Sequence, residues 1–175
     1  MADILPEKWM KGVAITTTVL AVFASIASSR AGFCLARSQV LMAQSGSQWA
    51  YYQAKSIKQN LLEMQRKLFE VNSLGSTTAE QKDFLQKNLQ TAESEVARYD
   101  KEKGDIKQLA EKSDKENALI TRRGNQFSLS VVFFQIGIML SSVSALLKRK
   151  EMWLIGVVFG CIAIVFLANG VFLFF

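Results

Sequence analysis

Histidine is absent from this chain of 175 residues, proline occurs once and cysteine twice. The lack of histidine removes the commonest general base and the commonest metal ligand. The lone proline, Pro6, suits the approach to a helix start, and nothing after it forbids a helix. Of the cysteines, Cys34 and Cys161, the second lies inside an apolar run, so an intrachain bridge between them is excluded and no disulfide framework exists. A buried or lipid-adjacent free thiol at Cys34 is favoured over pairing between subunits. Serine elbows, phosphate-cradling glycine loops and metal-ligand clusters are also missing. The sequence therefore offers no catalytic constellation, no cofactor site and no metal site, and the expected class is non-enzymatic.

Charge is present but segregated. Residues 30–126 hold 16 of the 21 Lys and Arg and 12 of the 15 Asp and Glu, whereas residues 152–175 hold none. Half the chain is hydrophobic and 21% is charged, and separating those populations is the mark of a membrane protein with a solvated part. Three apolar runs are candidate spans: residues 12–29, 127–147 and 152–175. The first is short and rich in Ala, Ser and Thr, which suits a place inside a bundle. A cleaved leader is the alternative for that run, and the chain's start at Met1 counts against it.

The net charge of +6 collects near the expected membrane edges, at Lys8, Lys11, Arg30, Arg122, Arg123 and Lys148, Arg149, Lys150. Basic residues there meet anionic lipid head groups. Acids interleave with the basic residues of the central segment, so nucleic acid is not an expected partner. Three spans place the N-terminus and the 148–151 loop on one side. The positive-inside rule puts that side in the cytoplasm and the central segment in the periplasm of a bacterial inner membrane.

Between spans one and two, residues 30–72 and 78–126 read as two long helices joined by a turn at 72–78. Each would reach about 65–75 Å at 1.5 Å per residue. Near-equal arms, flanked by a span at each outer end, are what an antiparallel hairpin standing on a bilayer requires. The turn carries Gly75 as a left-handed cap and Thr77 with Glu80 as a capping box. The outgoing arm shows an apolar heptad seam at Ala50, Ala54, Ile57, Leu61, Met64, Leu68 and Val71. The return arm continues it with Leu85, Leu89, Ala92, Val96, Tyr99, Lys103, Ile106, Ala110, Ser113, Asn117 and Ile120.

In that frame the stretch at residues 49–60 divides into two faces. Ala50 and Ala54 close the seam, Trp49 and Tyr52 look away from it, and Tyr51 sits beside it. Leu62 and Phe69 lie off the seam farther along. Exposed groups of this kind imply a partner, and neighbouring copies of the chain are favoured. Trp49, Tyr51, Tyr52, Leu62 and Phe69 are thus the expected oligomer or partner interface. Gln135 and Asn169 are polar groups within spans, suited to interhelical hydrogen bonds or, in the alternative reading, to a polar path. Gly156 and Gly160 form a GxxxG helix contact. Residues 100–111 carry acids at calcium-loop spacing, but Gly104 precedes the position where the loop must turn, and a solvated helix face is the better reading.

The chain also resembles the bacterial membrane-protein family catalogued as domain of unknown function 4337. QWAYYQAKSIKQ at residues 48–59 is the most specific likeness, with AITTTVLAVFASIAS at 14–28, FFQIGIML at 133–140 and GCIAIVFLANGVF at 160–172. The likeness covers nearly the whole chain. Members often carry a longer, charged, His-containing head, which this chain lacks. The resemblance implies three spans with a charged helical segment and brings no catalytic residues. The combined expectation is an all-α membrane protein, with three transmembrane helices and a long antiparallel helical hairpin, a coiled coil, between spans one and two. The expected function is a membrane-anchored scaffold that assembles as a homo-oligomer; the alternative is an oligomeric channel or transport accessory.

Overall fold

The computed structural model describes residues 8–75 and 78–172. Pro6 and Thr77 lie outside them, as do the last three residues of the third apolar run. Three helices account for the described chain: α1 (Lys8–Gly75), α2 (Ala79–Leu147) and α3 (Lys150–Phe172). All three are long and apolar enough to cross a membrane, with mean hydropathies of 1.7, 2.0 and 2.5 over their most apolar stretches. α1 and α2 each join an apolar end to a charged end without a break. No proline interrupts either helix, and Gly32, Gly46 and Gly104 cost only about 1 kcal/mol each in a helix interior.

The start of α2 is shifted by one residue from the expected capping box. Thr78 precedes the helix, its carbonyl accepts from the Lys82 amide at 3.2 Å, and its hydroxyl donates to Gln81 Oε1 at 3.3 Å. Thr78 and Gln81 therefore hold the Thr-x-x-Gln spacing of a capping box. The loop between α2 and α3 is Lys148 and Arg149 alone, two residues shorter than expected. Lys148 takes the left-handed conformation, at φ 54°, and the Arg149 amide reaches back to the Ser144 carbonyl at 3.2 Å. That six-to-one bond after a left-handed residue is the Schellman ending. The Ser144 hydroxyl adds a bond to the Arg149 carbonyl at 2.8 Å, which ties the loop down.

The helices form two compact regions. The apolar region comprises residues 8–39 and 117–172, and its core is Leu20, Ala27, Phe134 and Ala163. Missing side chains bring the helices close there. A Cβ on Gly160 would stand 2.6 Å from Leu20 Cδ2, and one on Gly156 would stand 2.9 Å from both the Gly137 carbonyl and Ser141 Oγ. The Phe127 ring lies against Gly170 in the same manner, 2.8 Å from where a Cβ would be. Phe133 stacks between Phe159 and Phe166, at 6.1 and 5.2 Å. Polar bonds also cross this packing. Ser130 donates to the Ala163 carbonyl at 2.8 Å and Trp153 Nε1 to Thr16 Oγ1 at 3.0 Å.

The charged region is residues 40–116. On α2 its buried and half-buried positions include Leu85, Leu89, Ala92, Val96, Tyr99, Lys103, Ile106, Ala110 and Ser113, the face read from the sequence, with Asn88, Glu95, Glu102 and Glu116 half-buried beside it. α1 departs from the expectation. Ile57, Leu61, Met64, Leu68 and Val71 are 58–65% exposed, and Ala50 and Ala54 are exposed as well. The face turned to α2 is instead Leu41, Ser45, Gln48, Tyr52, Lys55, Gln59, Leu62, Arg66 and Phe69, all buried or half-buried. This second set also alternates spacings of four and three, so it is equally a heptad seam. It lies two residues, about 200°, around the helix from the apolar one.

Candidate functional site

The α1 seam follows from what α2 presents. α2 brings Glu102, Lys103, Ser113 and Asp114 to the contact, and an Ile or Leu opposite them would leave polar groups desolvated without partners. Such a group costs about 1–3 kcal/mol. Rotating α1 by 200° supplies a partner for each.

Asp114 is held at two points on one turn of α1. Its carboxylate accepts from the Ser45 hydroxyl and, at 3.1 Å, from Trp49 Nε1. Hydrogen bonds from Ser45 and then Trp49 hold the Asp114 carboxyl below its ordinary value. Next to this clamp the Ser113 hydroxyl donates to Gln48 Oε1 at 3.2 Å. Tyr52 packs edge-on to Trp49, with centroids 5.7 Å apart, and the Lys103 ammonium lies 5.3 Å from the Tyr52 ring.

Lys55 occupies the centre of the seam. It pairs with Glu102 and lies 4.7 Å from the Tyr99 ring centroid and 5.5 Å from that of Tyr51. The bond to Glu102 raises the Lys55 pKa against the opposing effect of burial, and the same bond lowers that of Glu102. Ammonium groups are attracted to aromatic faces at such distances. Beyond it, Lys103 donates to Gln59 Oε1 at 2.9 Å, while Gln59 Nε2 donates to Glu63 at 3.1 Å. Arg66 and Glu93 form a looser pair at 3.8 Å, the kind that contributes little.

The stretch at residues 48–59 is therefore the α1 half of a polar and aromatic ladder. Trp49, Tyr52, Leu62 and Phe69 are half-buried on or beside the seam, not turned away from it. This corrects the frame in which they were expected to face neighbouring copies. Tyr51 alone of the five stays open, at 54% exposure. Asp114, Ser45 and the Lys55–Glu102 pair were missed by a reading that counted apolar residues. The available signal was the spacing of four between Ser45 and Trp49, which sets two donors on one face.

The other predicted positions divide cleanly. Gly156 and Gly160 are buried, facing Gly137 and Leu20 of the same chain, so this GxxxG serves packing within one chain. Asn169 is 1% exposed, whereas Gln135 is exposed on the apolar part of α2. Lys11, Arg30, Arg122, Arg123, Lys148, Arg149 and Lys150 are all exposed; the Lys8 side chain lies outside the described residues. Cys34 is a free, buried thiol against Gly124, and Cys161 is free and exposed. A cleft of about 310 Å³ in the apolar region is lined by Ser28, Cys34, Ser38, Thr121, Asn125 and Ser128 with apolar neighbours such as Leu35 and Ile120, and no charged side chain borders it. The Ser38 hydroxyl donates to Asn117 Oδ1 at 2.6 Å. Residues 100–111 run as unbroken helix, and among the described residues no group of three Cys, Asp or Glu is placed to hold a metal ion.

No curated protein and no solved structure matches this chain. The family described as a domain of unknown function, DUF4337, matches over residues 9–173, including the ladder and all three apolar helices. The chain belongs to the DUF4337 family.

Proposed function

We propose that this protein is a membrane-anchored scaffold, not an enzyme: an antiparallel coiled-coil hairpin carried by three transmembrane helices, self-assembling as a homo-oligomer. The observation behind this reading is that α1 and α2 each join an apolar, span-length stretch to a charged stretch in one unbroken helix. A second support is the numbering of the ladder contacts. Ser45 meets Asp114, Lys55 meets Glu102 and Arg66 meets Glu93, so residue numbers rise on one helix as they fall on the other. Lys55, Glu102, Lys103 and Asp114 are each held by a partner on the facing helix, which suits a strut more than a reaction centre.

The basic Lys148–Lys150 loop supports a topology with the N-terminal and loop side in the cytoplasm of a bacterial inner membrane and the hairpin in the periplasm. Membrane lipids contact the exposed basic residues at the span ends. The channel alternative has less to draw on. Thr16, Thr17 and Thr18 donate to carbonyls of their own helix, and Asn169 is enclosed. Its remaining support is Gln135, whose amide faces outward from an apolar helix.

Cysteine labelling in intact cells tests the topology. In a chain lacking its own cysteines, Lys101→Cys should react with a membrane-impermeant maleimide and Arg149→Cys should not. The reverse pattern would invert the orientation, and recovery of the protein in the soluble fraction would remove the membrane anchor.

A further inference from the structure

We infer that the exposed heptad stripe of α1, from Ala50 to Val71, is the surface through which copies of this chain associate, packing against the same stripe of parallel neighbours. The inference rests on the scaffold reading and assigns its self-assembly to a surface other than the Trp49, Tyr52, Leu62 and Phe69 set.

The period carries the argument. Ala50, Ala54, Ile57, Leu61, Met64, Leu68 and Val71 alternate spacings of four and three over three heptads. A strict 3.5-residue repeat is a seam for another helix, since it follows a partner helix around a supercoil, whereas a flat surface requires no such repeat. α2 does not occupy it, because α2 engages the polar seam about 200° away. The five larger side chains are each 58–65% exposed. Each offers on the order of 100 Å² of apolar surface. Together with the flanking stems they approach the roughly 800 Å² per partner of a standard interface.

The flanking charges fit a second copy. The positions beside the stripe are Tyr51, Lys58, Gln65 and Asn72 on one edge and Gln53, Asn60 and Lys67 on the other, without a carboxylate. In a parallel pair in register, each residue on the second edge meets the first-edge residue five positions on. Gln53 then meets Lys58, Asn60 meets Gln65 and Lys67 meets Asn72, so no two like charges oppose. Copies anchored in one bilayer with one topology present α1 in the same direction, which selects the parallel arrangement. Leu61 and Leu68 fall at a positions, Ile57, Met64 and Val71 at d, and leucine at a with a β-branched residue at d favours more than two strands. Tyr51, the one predicted interface aromatic that stays open, borders this stripe.

The test compares the unmodified chain with a double variant, both purified in detergent, by size exclusion with light scattering, and two single-cysteine variants by oxidation. The unmodified chain should run as an assembly of more than two copies, and Leu61→Lys with Leu68→Lys should reduce it to single chains with unchanged helicity, since both side chains are exposed. In a chain lacking Cys34 and Cys161, Met64→Cys should oxidise to an interchain disulfide, and Lys101→Cys should not. An assembly that survives the double lysine variant, or that gives no Met64→Cys crosslink, would overturn the stripe while leaving the scaffold reading intact. An unmodified chain that is itself monomeric would overturn both.

Discussion

Helices meet in both regions of this molecule, by opposite means. In the apolar region contact depends on absence: Gly137, Gly156 and Gly160 leave room for a carbonyl, a hydroxyl and Leu20. In the charged region contact depends on reach. Lys55, Gln59, Lys103 and Trp49 are long side chains whose ends meet polar partners across the seam. The first kind of packing tolerates no added atoms. The second tolerates substitution until a polar group loses its partner.

That contrast is broken first, and most severely, at Gly156. A valine there would press on the Gly137 carbonyl, which no rotamer change can relieve. Gly156→Val should cost about 3 kcal/mol or more in detergent unfolding. Leu41→Ala, the largest fully buried side chain of the ladder face, should cost about 2 kcal/mol, because a two-helix contact can partly collapse around the loss. If the two variants are equally damaging, the distinction between the regions fails.

Acidity should separate the regions more gently. Asp114 and Glu102 titrate below their ordinary values of 3.8 and 4.5 when folded, so their contributions are present above those values and lost as pH falls through the lowered ones. Lys55 is raised above 10.5, so its contribution holds below that value and disappears as pH rises through the raised one. Stability of the charged region should be flat from about pH 6 to about pH 10 and fall on both sides. Trp49 fluorescence, read with Trp9 and Trp153 replaced by phenylalanine, reports it. Asp114→Asn should flatten the acid limb; an unaltered limb would remove Asp114 from the ladder's energetics.

The smallest effects change sign with location. Gly32 and Gly104 have nothing within 4 Å of a built Cβ, so alanine there should stabilise by about 0.5–1 kcal/mol. The same change at Gly137, whose Cβ would stand 2.9 Å from the Gly156 carbonyl, should destabilise. Thermal midpoints of the three variants decide it.

Most of the helical architecture could be read from the chain. Missing breakers predict unbroken helices, charge segregation locates the apolar stretches, and the α2 face repeats at Leu85, Ala92 and Ala110 with buried neighbours. The α1 face was misread for a physical reason. α1 carries two heptad patterns, and apolar periodicity selects the one through Ile57 and Leu61. The contact with α2 is decided by satisfaction of Lys103, Ser113 and Asp114, a pairwise property that becomes visible only when both helices are placed. Gln135 and Asn169 looked equivalent in sequence, yet one is exposed and the other enclosed, because position on a helix face and not residue type sets burial.

The central claim is that α1 turns its polar and aromatic seam, not its apolar one, toward α2. Paired cysteines read this directly in a chain lacking Cys34 and Cys161. Gln59→Cys with Lys103→Cys should be joined within one chain by a short thiol crosslinker, whereas Leu61→Cys with Lys103→Cys should not. Crosslinking of the Leu61 pair with the Gln59 pair left open would place the apolar stripe inside the seam and contradict the account.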